Sequence, residues 1–252
     1  MRKVKACLLL APVAAFSMPF LASTAASAAP ATNYSATLNP LNHASGSGML
    51  SMTLNGDQAT VTEHVSGLAA TFMKGPYPHV QHIHIDAQGQ CPTMSADKNG
   101  DGIVDTAEGK PSYGAIGTTL STKGDTSPKA GTNVKTAPGG ASFDYNRTIT
   151  LDSKTMASVR AGNAVIVVHG LDPTTLSKKA QSEKSNLVPS LPLAATSPAL
   201  CGALTSMPTG GAATGGGATS GVENLWLFAA GGAALAAAGG ALVLRRLAVG
   251  AH

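Results

Sequence analysis

Apolar and polar residues alternate in short runs through the middle of this chain and merge into unbroken apolar runs at its two ends. In "GMLSMTLNGD" and "QATVTEHVSGL" the apolar positions fall two apart, the period of a strand with one buried face. Between them, Asn55-Gly56-Asp57 supplies a turn whose glycine tolerates positive φ, so the two runs are expected to pair as a hairpin. "HVQHIHID", "AIGTTLST", "NRTITLD" and "NAVIVVHG" predict four further strands, and helical periodicity is confined to "TLSKKAQSEK". Many short strands bounded by Gly, Asn, Asp and Pro predict an all-β fold, a Greek-key β-sandwich or barrel, over residues 33–204.

The ends read differently. "MRKVK", the apolar run "ACLLLAPVAAFSMPFLA" and the small residues "STAASAAP" have the three-part form of a secretory signal peptide, with cleavage expected after Ala28. Residues 225–244 carry no charge and are long enough for a helix to cross the roughly 30 Å of a bilayer core. Arg245 and Arg246 follow at once, and the positive-inside rule keeps them cytoplasmic with residues 247–252. The Gly/Thr/Ala-rich residues 205–222 read as a flexible stalk. Their "MPTGG" departs from a sortase signal, so membrane retention is expected rather than transfer to a cell wall. The chain is thus expected to be exported and held by a single transmembrane anchor, with its β domain outside the cell.

This division changes what the charge means. The 252-residue chain has 17 Lys and Arg against 13 Asp and Glu. Removing Arg2, Lys3, Lys5, the arginine pair at the anchor and the adjoining Glu223 leaves a formally neutral body, which offers no field for nucleic acid. With Cys7 lost in the signal, Cys91 and Cys201 remain, and an even count in an oxidising compartment favours a disulfide.

Two stretches carry candidate chemistry. In "HVQHIHID" His82 and His84 are one residue apart, so on a strand they share a face about 7 Å apart along the chain, while Ile83 and Ile85 turn to the core. That spacing suits two imidazoles converging on one ion and equally suits polar residues on an outer strand face. His169 ends the apolar run "NAVIVV". The order of His79, His82 and His84, then Cys91, then His169 in "VIVVHG", then Cys201 in "ALCGAL" resembles the copper/zinc superoxide dismutase family and the related chordin-type (CHRD) domains. The resemblance spans most of residues 35–204. It implies a superoxide dismutase-like Greek-key barrel, His82, His84 and His169 as copper ligands, His79 as a supporting residue beside them, and a Cys91–Cys201 disulfide. Imidazole suits copper and zinc alike.

The chain also departs from that family. No histidine occurs in 92–168, so the bridging histidine and the zinc loop are missing, and "TSPALC" lacks the arginine that guides superoxide. In place of the zinc loop stands "DKNGDGIVDTAE", in which Asp97, Asn99, Asp101, Gly102, Asp105 and Glu108 fill positions 1, 3, 5, 6, 9 and 12 of an EF-hand loop. Ile103 would add its carbonyl at position 7, and Val104 is the apolar residue that ordinarily pairs with a second loop. Pro92 and Pro111 are expected to leave at most one helical turn on either side. The sequence therefore predicts a surface domain that binds Ca²⁺ and holds copper or zinc on three histidines, acting as a structural or binding module. The alternative is a copper-dependent superoxide dismutase or related redox enzyme, which the missing bridging His and guiding Arg disfavour.

Overall fold

The computed structural model describes residues 31–208; the segments expected as signal peptide, as anchor and as most of the stalk lie outside them. No helix of the described residues is long and apolar enough to cross a membrane. Eleven strands form in chain order: β1 (Thr32–Pro40), β2 (Ser47–Asn55), β3 (Gln58–Ser66), β4 (Thr71–Phe72), β5 (Gly75–Pro76), β6 (Gln81–Ile85), β7 (Ala115–Thr119), β8 (Ser142–Thr150), β9 (Val165–His169), β10 (Pro198–Ala203) and β11 (Thr205–Ser206). Three short helices, α1 (Thr106–Tyr113), α2 (Ser153–Arg160) and α3 (Lys178–Ser182), join them.

Nine strands build one antiparallel sheet in the order β7-β6-β9-β10-β1-β2-β3-β8, with β11 beside β1; β4 and β5 pair separately. The expected hairpin is β2–β3, in register from Asn55 opposite Gln58 to Ser47 opposite Ser66, and Gly56 at its turn has φ 63°. Strand β1 belongs to both halves of the sheet: residues 32–38 pair with β2, whereas Asn39 and Pro40 pair with β10. The sheet curls at this point, so that Leu38, Leu50, Met52 and Val61 from one half pack in one core with Ile83, Ile166, Val168 and Leu200 from the other. Side chains tie its two edge strands. Arg147 on β8 donates to the carbonyls of Ser121 and Gly124 beyond β7, each at 2.7 Å.

Two of the longer strands were hidden from the alternation pattern. In β1 the inward residues are Tyr34, Ala36 and Leu38, a weak apolar signal, and β10 is buried on both faces and so lacks alternation. Thr205 and Ser206, expected in the stalk, pair with Ser35 and Tyr34, so the sheet runs past residue 204. Helix α1 also exceeds the single turn that the flanking prolines predicted. Asp105 and Glu108 start it with a reciprocal capping box, and it runs through Pro111 to a cap at Gly114. Gly114 needs to be glycine there: its φ is 95°, and a Cβ would fall 1.8 Å from the carbonyl oxygen of Ile85.

Cys91 and Cys201 form a disulfide across 110 residues of sequence, with Cα atoms 5.8 Å apart. In the chain-entropy account a loop of this length stabilises the fold by roughly 4–5 kcal/mol. The bridge lies on the outer face of β10, where Cys201 packs with Tyr113, Val165 and Val167 in a second apolar cluster. That cluster covers the outside of β9 and places α1 against the face that carries the histidines.

Candidate metal centre

His82 and His84 lie on β6 with Ile83 and Ile85 on its core face, as the alternation predicts. In the antiparallel pairing of β6 and β9, His82 stands opposite Val167, so His169, two residues on, projects from the same face. The histidines do not reach solvent as an outer strand face would. They are 3%, 2% and 3% exposed, because α1, residues 128–134 and residues 187–196 lie over them.

One ring nitrogen of each histidine lies within 4.8 Å of the others. The opposite nitrogen of each ring faces a backbone carbonyl: His82 Nε2 and Gly131 at 3.0 Å, His84 Nδ1 and Gly114 at 3.0 Å, His169 Nδ1 and Thr196 at 2.8 Å. A carbonyl oxygen only accepts, so these nitrogens carry the protons. The lone pairs are left on Nδ1 of His82, Nε2 of His84 and Nε2 of His169, all buried and without a hydrogen-bond partner. Orphaned buried acceptors are costly unless something fills them. Burial, and then the neighbouring imidazoles, hold the rings neutral: His84 is pushed down to about 3, and burial pushes His169 down to about 4. His82 is held well below its ordinary value for the same two reasons. Three neutral imidazoles with fixed tautomers and converging lone pairs fit a borderline cation, and outer carbonyls that hold the far N–H are the usual support of such ligands.

His79 stands behind this face. Its Nδ1 lies 2.9 Å from the carbonyl of His169 and its Nε2 3.0 Å from that of Ala69, so it braces the end of β9. Tyr113, at the end of α1, packs edge-on against His84 with ring centroids 4.5 Å apart. The carbonyls of Gly114, Gly131 and Thr196 carry no side-chain signature, so the residue types give no sign of their role.

The carboxylate loop lies beside this face and is organised differently. Asp97 accepts from the N–H groups of Gly100 and Gly102, Asn99 from that of Asp101, and Asp101 from that of Ile103. Glu108 folds back onto the N–H groups of Lys98 and Asp105. Asp105 caps α1 and also accepts from Asn186. Val104 finds its partner in a side chain: the Asn42 amide accepts from its N–H at 2.6 Å and donates to its carbonyl at 2.8 Å. Among the described residues the three histidines are the only His, Cys, Asp or Glu set whose ligand atoms gather this closely.

A cavity of about 830 Å³ opens over the histidine face, lined by all three rings. Its walls are mostly apolar, with Phe72, Ile116, Val134, Leu187 and Leu191 among them, and Lys110 is its only charged side chain. In comparisons with known proteins, no family model matches the chain and no curated protein is significantly similar to it.

Proposed function

We propose that this chain is an exported metal-binding surface protein that takes one copper ion on His82 Nδ1, His84 Nε2 and His169 Nε2, with zinc as the competing ion. The observation that carries the reading is the set of three buried, unpartnered ring nitrogens whose opposite N–H groups are all tied to carbonyls. Imidazole sets bind Cu(II) more tightly than Zn(II) in the general affinity order, and the resemblance to the superoxide dismutase family assigns copper to the same residues. A bound copper would supply Lewis acidity and one-electron chemistry. The protein supplies the fixed tautomers and the exclusion of bulk water from the three ring nitrogens.

The binding module is preferred to a dismutase. Superoxide is a small anion that gains from electrostatic steering. This domain is formally neutral outside its termini, and the approach to the histidines is mostly apolar and uncharged apart from Lys110. The loop 97–108 is read as a weak, structural Ca²⁺ site, supported by its oxygen donors at EF-hand spacing and by Asp97 accepting from Gly102 at the turn. Its place is to order α1, whose Tyr113 and Lys110 face the metal centre and the cavity. Titration calorimetry with Cu(II) and Zn(II) tests the reading. One site per chain, preferring copper and lost in His82→Ala and His169→Ala, is expected; equal binding by those variants would overturn it.

A further inference from the structure

The cavity above the histidines is far larger than a metal ion or a diatomic anion requires. At about 830 Å³ it lies in the range of sites that enclose whole organic ligands. Its lining holds no carboxylate, and its one cation, Lys110, sits a helical turn from Thr106 on the same face of α1. Among the described residues six large apolar side chains are exposed. Three of them, Met73 at 87%, Leu187 at 53% and Val134 at 47%, line this cavity, so the apolar character continues to its mouth. All three histidines belong to its lining, and their unpartnered ring nitrogens are buried beneath it.

We infer that this cavity binds an apolar organic monoanion, of the size of a medium-chain carboxylate, with its hydrocarbon body along Ile116, Val134, Leu187 and Leu191 and its head group directed to the histidine-bound metal. The inference rests on the metal reading for the head group and on the cavity alone for the body. An anion is selected because metal and Lys110 are both positive and nothing negative lines the space. Apolar walls select the hydrocarbon, since each buried methylene adds favourable transfer free energy. A small hydrated anion gains nothing from such walls.

The test uses the full-length chain, metal-free and copper-loaded, with hexanoate, octanoate and decanoate as probes and 1-decanol and decylamine as controls. Expected is one site per chain, with affinity rising about fourfold per added methylene. Copper should tighten decanoate binding at least tenfold and shift the copper spectrum. Leu187→Asp, at a half-exposed rim position, should weaken binding tenfold or more in both forms without lowering Tm, and Lys110→Met should weaken it several-fold. If the chain takes no copper but the metal-free protein binds decanoate with the same chain-length and Leu187→Asp dependence, the metal reading fails and the pocket stands. If copper binds but no alkanoate does, if 1-decanol or decylamine binds as well as decanoate, or if Leu187→Asp is without effect, the inference is overturned.

Discussion

The carbonyl oxygen of Thr196 accepts a hydrogen bond from the Nδ1–H of His169 at 2.8 Å. It also accepts from the hydroxyl of Thr106, the first residue of α1, at 2.9 Å. At the other end of α1, the Tyr113 hydroxyl donates to the carbonyl of Thr106 and its ring leans on His84. One short helix, started by the last two acidic residues of the carboxylate loop, thus touches two of the three histidines or their supports.

If the loop orders that helix through Ca²⁺, calcium removal should be felt as lost stability. Millimolar Ca²⁺ is expected to raise Tm by a few degrees. Glu108→Gln keeps the side chain that reaches back over the helix start but removes its charge, and should abolish the rise. Calorimetry in calcium and in chelator checks this. A Tm that does not respond to calcium would remove the ion from the account.

The clamp on Val104 gives a prediction independent of any metal. Asn42→Ala leaves a buried N–H without its acceptor and a carbonyl without its donor, and frees a second bond from Asn42 to the Pro198 carbonyl. Orphaned buried groups cost about 1–3 kcal/mol each, so with three of them a loss of roughly 3 kcal/mol or more is expected in denaturant unfolding. Hydrogen exchange at the Val104 amide should accelerate with it.

The histidines set the acid side of the stability curve. Their folded-state pKa values are lowered, to about 3 at His84 and about 4 at His169, while unfolded histidines titrate near 6.5. Below 6.5 the unfolded chain takes up protons that the folded chain refuses, so the stability of the metal-free protein should fall as pH drops from about 6.5 toward 4. Copper held on these histidines as proposed should add stability and hold this limb up. Replacing all three histidines should flatten it, as melting curves between pH 4 and 7 would reveal.

Glu63 sets the other side. It points from β3 into the core, 1% exposed, and burial pushes its carboxyl up to about 8. Gln81 lies near enough to offset a little of that shift, yet neither carboxylate oxygen has a hydrogen bond of ordinary geometry. A folded pKa above the unfolded value near 4.5 means stability that is full below 4.5 and lost as pH rises through 8. Glu63→Gln should remove that decline between about pH 4.5 and 8 and raise Tm at pH 9. An unchanged pH dependence over that window in the variant would show that Glu63 does not titrate there.

The strands that frame the site were legible because alternation at β2, β3 and β6 records which face is buried, and because histidines at 82 and 84 must share a face on any strand. His169 joined them through the order of landmarks along the chain; no local spacing connects it with His84. What escaped the sequence was mostly backbone. The carbonyls of Gly114, Gly131 and Thr196 fix the tautomers and leave no pattern in residue types. Alternation in β3 puts Glu63 in phase with Ala59, Val61 and Val65, but an acidic residue type gives no sign that it is buried there. The double burial of the histidines escaped as well, since it depends on α1 and on residues 128–134 and 187–196 folding back over a face that alternation alone leaves open.

The most direct test of the metal centre is pulsed electron paramagnetic resonance of the full chain with one equivalent of Cu(II). A single copper species coupled to three imidazoles is expected, reduced to two in His82→Ala and likewise in His169→Ala. A copper signal with no imidazole coupling, or one unchanged by those substitutions, would contradict it.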